Sequence, residues 1–349
     1  MINIKEHIIN QNATIAEALI ALNNLSDEAM TLFVTDDNDS MVGTLTDGDV
    51  RRRLIKNGSL NDSVISAMKS DFYFINNKEI DVAEIKKRRN SGVSLLPLLD
   101  EHRKVRNIYN LKKLNSILPV DAVIMAGGKG VRLRPLTDTT PKPLLPIGDK
   151  AIIDYNVDNL INNGVLNISV TVNYLKEQLE KHFEQPRNGV QIECIPEPQY
   201  LGTLGSIKFV ENFHNDTVLV MNSDLFTNIN FEEFYLFFKN SDADMLAAAV
   251  PYTISIPYGI FDTDGDMIKG IKEKPSYNYY SNAGIYLIKT KLLELIPENT
   301  FFNATDFMEL LINKGYKVTR FPLTGYWIDI GKHEDYRKAQ DFVKHIQKT

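Results

Sequence analysis

Cysteine is nearly absent. Cys194 is the only one in 349 residues, which excludes an intrachain disulfide. In QIECIPEP it alternates with Ile192, which reads as a strand residue in the core rather than a catalytic thiol. No apolar run approaches the roughly 20 residues that cross a bilayer as a helix, so no membrane span is expected. The opening MINIKEHIINQNATI has no basic stretch leading into an apolar block. No signal peptide is therefore expected, and a cytoplasmic protein is the simplest expectation. Positive charge is not in excess either: 39 Lys and Arg against 45 Asp and Glu give a formal charge of −6, with no support for bulk nucleic-acid binding. The six histidines are scattered, without metal-ligand spacing. What the chain has is length, enough for two domains and a sizeable core.

The most informative stretch is 120–148. An apolar run, 122–126, ends abruptly in glycine and reads as a buried strand leaving a sheet. Ala126, Gly127, Gly128 and Gly130 bare the backbone, so that successive N–H groups can close around phosphate oxygens. Arg132 and Arg134 follow, and Lys142 stands between Pro141 and Pro143, whose fixed φ stiffens it. Bare amides, a guanidinium and a rigidly presented ammonium suit a polyphosphate with a transferable group. Neither the GxxxxGK[ST] spacing of a P-loop nor a dinucleotide-type GxGxxG occurs.

Taken whole, AGGKGVRLRPLT followed by PKPLLPIG resembles the signature of the sugar-1-phosphate nucleotidylyltransferases, the nucleoside-diphosphate-sugar pyrophosphorylases. Val131 stands where that family usually carries threonine, which removes one hydroxyl beside Arg132. Further along, runs 122–126, 168–172, 190–195, 218–221 and 245–250 read as strands; 152–162, 175–183, 205–213 and 231–238 read as helices, with a last helix over 334–347. The alternation predicts an α/β domain over 118–349: a Rossmann-like, mostly parallel mixed sheet with helices on both faces. The resemblance makes it a nucleotidyltransferase, GT-A-like fold. Ligands in such sheets sit beyond the carboxyl ends of the strands.

Asp224 follows the run 218–221, where an aspartate serves as turn or cap residue or as a Mg²⁺ ligand beside a polyphosphate. Gly325-Tyr326-Trp327-Ile328-Asp329-Ile330-Gly331 resembles the family's GxWxDIG segment, which implies that Asp329 completes a Mg²⁺ site with Asp224. By the same resemblance the loop EPQYLGTLG, with Glu197, Gly202 and Thr203, faces the nucleobase. Relatives that use UTP or dTTP often carry glutamine five residues before the glycine, where this chain has Glu197. A carboxylate only accepts, and guanine offers N1–H and N2–H₂ side by side; this favours GTP, unless Glu197 is exposed. PYG, EKP and NAGIY imply a sugar-phosphate site at Gly259, Glu273, Lys274, Asn282 and Gly284. The implied reaction is Mg²⁺-dependent guanylyl transfer from GTP to a sugar 1-phosphate. Arg132 and Lys142 would serve the phosphates, and Asp224 and Asp329 the metal. A silent regulatory subunit that binds nucleotide sugars is the alternative of another class. Loss of one of these four residues would favour it, and all four are present.

Residues 1–117 contain a weak repeat with an offset near 64, about 1–58 and 59–117, each reading as helix, strand, turn, strand, helix. GTLTDGDV, with Gly43, Thr46 and Asp49, resembles a CBS motif, and the two copies look like an α+β CBS pair. That implies a possible adenine-nucleotide site at Thr46 and Asp49, and a homodimer or higher homo-oligomer. The second copy has Asn107, Asn110 and Lys113 at the matching places, so a structural or dimerising module stands beside a ligand sensor. A CBS pair ahead of this catalytic type resembles the glucosamine-1-phosphate guanylyltransferases of legionaminic acid pathways. Mannose 1-phosphate and heptose 1-phosphate remain open as acceptors, as do UTP and dTTP as donors.

Overall fold

The computed structural model describes residues 2–25, 29–76 and 80–346. The chain separates into two compact units, one of Met1–Leu118 with Asn162–Gly164 and one of Pro119–Ile161 with Val165–Thr349. Met1, residues 26–28 and residues 77–79 of the expected repeat, and Gln347 of the expected last helix, lie outside the described residues.

In the first unit, β1 (Ile8–Asn10) runs parallel to β2 (Thr31–Thr35), which pairs antiparallel with β3 (Met41–Thr46). The strands β4 (Ile75–Asn76), β5 (Leu95–Leu99) and β6 (Val105–Asn110) repeat the same order and sense. Thr14 opens α1 (Ile15–Asn24) in a reciprocal cap with Glu17. Thr46 and Asp49 do the same for α2 (Asp47–Ile55), and Asp81 caps α3 (Val82–Asn90). Phe33, Met41, Leu95, Leu99 and Ile108 fill one core, so the two copies share a buried face. The second copy does not close with a helix. Asn110 Oδ1 accepts from the Lys112 N–H at 2.9 Å, which turns the chain at 111–113.

The second unit begins with β7 (Asp121–Met125), a two-strand loop of β8 (Pro146–Ile147) and β9 (Lys150–Ala151), and α4 (Ile152–Asn162). There follow β10 (Ile168–Val172), α5 (Lys176–His182), β11 (Ile192–Pro196), β12 (Thr217–Asn222), β13 (Leu225–Thr227) and α6 (Phe231–Ser241). The remainder is β14 (Met245–Ser255), β15 (Ile260–Asp264), β16 (Met267–Lys272), β17 (Ser276–Lys289), α7 (Ala304–Asn313), β18 (Val318–Pro322), β19 (Trp327–Asp329) and α8 (His333–Ile346). Seven strands form one sheet in the order β11-β10-β7-β12-β17-β14-β18. The first four are parallel, and β17 runs antiparallel between β12 and β14. Every residue of β7 and β10 is buried, as strands covered by helices on both faces must be. On one face Val123, Val220, Met245 and Ile288 pack with Phe307 and Leu311 of α7.

Two sequence expectations need correction. The helix over 205–213 is a short 3₁₀ turn, Gly205–Phe209. Leu204 and Gly205 both donate to the Phe302 carbonyl at 3.0 Å, which ties the start of the turn to the segment before α7, and the chain is already extended at Val210. The strand expected to stop at 250 continues as a ribbon with β17, pairing Tyr252 with Tyr279 and Ile254 with Tyr277. Past Val250 both faces of the ribbon meet solvent (Tyr252 is 58 % and Tyr279 54 % exposed), so the core-strand pattern fades before the pairing does.

Candidate functional site

The carboxyl ends of β7 and β12 open into a cavity of about 660 Å³. Its floor is the turn after β7, where the Ala126 N–H donates to the Thr171 carbonyl at 3.0 Å and holds the turn against β10. The glycines differ in what they face. A Cβ on Gly127 would lie 2.3 Å from Glu197 Oε1, whereas one on Gly128 would meet nothing within 4 Å. Gly130 takes φ +60 and starts the 3₁₀ turn Val131–Leu133 that carries Arg132. Gly128 thus bares its backbone to the cavity, and Gly127 makes room for a carboxylate. Gly127→Ala is therefore expected to lower Tm by several degrees, from about 1–3 kcal/mol of overpacking. Gly128→Ala should leave Tm nearly unchanged, as thermal melts of the two variants would reveal.

Arg132, Lys142, Asp224 and Asp329 all line this cavity, as do Lys129 and Glu197. Pairing of β13 with β19 sets Leu225 opposite Asp329, and the Ile330 N–H donates to the Asp224 carbonyl at 3.1 Å. Lys142, only 8 % exposed, gives its ammonium to Asp224 Oδ2. The other oxygen, Oδ1, is buried and has no hydrogen-bond partner. Burial first, and then the neighbouring Asp224 charge, push the Asp329 carboxyl above its ordinary value. Arg132 is exposed, its guanidinium beside Gly331, where a Cβ would stand 3.3 Å from Nη2. Among the described residues no three His, Cys, Asp or Glu cluster as a complete metal cage. Mg²⁺ needs no such cage beside a polyphosphate: one or two carboxylates suffice, with water and phosphate oxygens completing the shell. An orphaned buried carboxylate oxygen facing a second, charge-strained carboxyl fits that role.

Beside the glycine turn, Glu197 follows β11, its backbone pinned by the Val172 carbonyl at 2.8 Å and its own carbonyl by Asn173 Nδ2 at 3.1 Å. The side chain is 6 % exposed and accepts from the Leu201 N–H at 3.3 Å. Burial holds its carboxyl above the ordinary glutamate value. Gly202 and Thr203 line the same wall, and both also brace the loop before α7: Thr203 donates its N–H to Asn303 Oδ1 at 3.2 Å and accepts from the Ala304 N–H at 3.0 Å.

The sugar-end residues are less concentrated. Gly259, Glu273 and Lys274 are exposed at the base of the β15–β16 hairpin and do not line the cavity. Gly259 and Glu273 do adjoin, since a Cβ on Gly259 would stand 3.0 Å from Glu273 Oε2. Asn282 is occupied: its amide donates to Tyr286 Oη at 2.7 Å and accepts from the Gly284 N–H at 3.0 Å. Gly284 was expected to admit a sugar ring. Instead its open side is filled by Asn222, whose Nδ2 would lie 2.5 Å from a Cβ there. In the first unit, Asp49 is buried and bound by Thr46 and Arg52, with Lys69 at 3.6 Å. Burial works against its charge, yet the bonds from Thr46 and Arg52 hold its carboxyl below the usual range. The two side chains expected to meet a nucleotide thus also build the α2 cap.

Two contributors escape a reading of the sequence. Asn156, buried on α4, donates to the Leu225 carbonyl at 3.0 Å and reaches that of Ser223 at 3.5 Å, fixing the loop that carries Asp224. Tyr200 lines the same cavity as Glu197 and Asp224. Nothing in the spacing of Asn156 marks it, whereas Tyr200 lies inside the loop already singled out by EPQYLGTLG.

No helix among the described residues is long and apolar enough to cross a membrane. Over 225 residues the chain is 33% identical to the mannose-1-phosphate guanyltransferase of Debaryomyces hansenii, covering 61% of this chain and 62% of that protein. It is 29% identical over 255 residues to a glucose-1-phosphate adenylyltransferase of Clostridium perfringens, covering 64% and 66% respectively. The chain thus spans about 62% of the length of the first curated relatives it matches. Among solved structures, HddC from Yersinia pseudotuberculosis superposes with a TM-score of 0.51 at 26% identity, over 64% of this chain and 99% of that one. The same protein has also been solved complexed with GMP-PN. Residues 121–346, which hold the glycine turn, both aspartates and Glu197, match the model for nucleotidyl transferases, and the chain belongs to that family.

Proposed function

We propose that the chain transfers a guanylyl group from GTP to a sugar 1-phosphate, releasing pyrophosphate and forming a GDP-sugar. The observation that carries the reading is the convergence of Asp224, Asp329, Lys142 and Arg132 on one cavity floored by the glycine turn. The sugar phosphate oxygen attacks the α-phosphorus, a P–O bond forms, and the bond to the pyrophosphate oxygen breaks. The nucleophile is already anionic, so no proton has to be removed. Alignment and charge stabilisation are what the chain must supply. Lys142 and Arg132 face the phosphates, Arg132 on the side of the departing pyrophosphate. Asp224 and Asp329 would hold Mg²⁺, which when bound neutralises phosphate charge. Lys274 and Glu273 would serve the sugar 1-phosphate from the hairpin base.

The buried, acceptor-only Glu197 supports guanine. Relatives named as a mannose-1-phosphate guanyltransferase, a glucose-1-phosphate adenylyltransferase and a UTP–glucose-1-phosphate uridylyltransferase bracket the alternatives. Glucosamine 1-phosphate is our first choice of acceptor, ahead of mannose and heptose 1-phosphates, on the likeness of the N-terminal unit to a CBS pair. That unit is read as a dimerising module, with an adenine-nucleotide sensor at Thr46 and Asp49 as the alternative, so light scattering should give at least a dimer. Initial rates of pyrophosphate release with four nucleoside triphosphates and a panel of hexose 1-phosphates test the reading. We expect activity with GTP that EDTA abolishes and Mg²⁺ restores. Preference for UTP or dTTP would overturn the base assignment, and no turnover with any pair would overturn the enzyme.

A further inference from the structure

Tyr200 stands on the cavity wall three residues past Glu197. Its ring packs edge-on against Phe301, with centroids 5.9 Å apart at 65°, and is 45 % exposed. The hydroxyl makes no hydrogen bond to another described residue, although Tyr155, Tyr174, Tyr286 and Tyr336 each have theirs engaged. Burial first, and then the charges of Glu197 and Asp224, keep the phenol above its ordinary value. The phenol is therefore a neutral O–H donor at pH 7, and it lines the cavity that Glu197 and Asp224 also line. On the reading above, Glu197 marks the base end of the nucleotide and Asp224 its phosphate end. What lies between base and phosphate in any nucleoside triphosphate is the ribose.

We propose that the Tyr200 hydroxyl hydrogen-bonds a ribose hydroxyl of the bound nucleoside triphosphate, and so determines the preference for ribonucleotides. The inference rests on the proposed nucleotide site. The ribose hydroxyls are strong donors and acceptors whose partner in a closed cavity has to be a protein group or water. Other cavity groups have different work: Lys142 is committed to Asp224, Thr203 to the 303–304 backbone, and Glu197 to the Leu201 N–H and the base. Tyr200 alone in this loop offers a rigid, unengaged hydroxyl.

The test compares wild type and Tyr200→Phe, which keeps the ring against Phe301, using GTP, 2′-deoxy-GTP and 3′-deoxy-GTP. We expect kcat/KM for GTP to fall about five- to tenfold in the variant, the size of one hydrogen bond. With whichever deoxy nucleotide lacks the contacted hydroxyl, wild type and variant should agree within about twofold. Equal losses with all three nucleotides would make Tyr200 a packing residue and overturn the proposal, as would an unchanged rate with GTP. Should wild type prefer another triphosphate, the base assignment fails separately. The same comparison then runs with that nucleotide and its deoxy forms.

Discussion

Arg132→Ala is expected to lower kcat by about a thousandfold while leaving Tm within about 1 °C. The two halves of that expectation have one cause. Arg132 is exposed and its guanidinium stands over Gly331 at the cavity edge, so its removal empties no core, and Lys142 still offsets the charge of the half-buried Asp329. On the proposed reaction, what is lost is a positive charge where negative charge accumulates as pyrophosphate departs, a contact that strengthens in the transition state and therefore reads out in kcat more than in KM. Pyrophosphate release at saturating substrates together with a thermal melt decides it; an unchanged kcat would remove Arg132 from the mechanism. Lys142 provides the contrast. It is buried and bound to Asp224, so its truncation would leave that carboxylate unpaired and should cost stability as well as rate.

Exchanging Glu197 for glutamine should change which base is used. A buried site that hydrogen-bonds its substrate discriminates strongly, so kcat/KM for GTP is expected to fall roughly a hundredfold or more. Use of UTP should rise, because the amide offers uracil both a donor and an acceptor. The exchange has a pH signature too. Guanine requires the ionised carboxylate, and burial holds the Glu197 carboxyl above its ordinary value. GTP use by the wild type should therefore decline as pH falls, at a higher pH than an ordinary glutamate would give, and Glu197→Gln should lack that limb. Stability carries the opposite sign. A carboxyl whose value is raised on folding favours the folded state fully below its unfolded value, and that contribution is lost as pH rises through the folded one. At neutral pH the ligand-free glutamine variant should thus melt higher than wild type while using GTP worse. Equal GTP and UTP profiles in the two proteins would place Glu197 outside base recognition.

Short-range features were legible in the residues. The strand into the glycine turn, the α/β alternation and the positions of β10 and β12 follow from apolar runs and turn residues adjacent in the chain. The segment 205–213 reads locally as a helix, yet only 205–209 turn, their start tied to Phe302 far along the sequence, a contact that neighbouring residues do not encode. The ribbon beyond Val250 was missed because exposed pairing has no burial pattern to announce it.

The composition, the repeat and the motif order determined by themselves that this is a two-part chain with an α/β nucleotidyl transferase half. Local hydrogen bonding and hydrophobic periodicity are properties of neighbouring residues, so they survive in one dimension. Only the tertiary structure decided that Asp224 and Asp329, about a hundred residues apart, meet through the pairing of β13 with β19. It also decided that the lack of a side chain at Gly127 makes room for Glu197, and that Lys142 pairs with one Asp224 carboxylate oxygen while leaving the other bare. These are encounters between distant segments, and which side chains face one another across a cavity depends on how the strands register, which no single stretch of sequence contains.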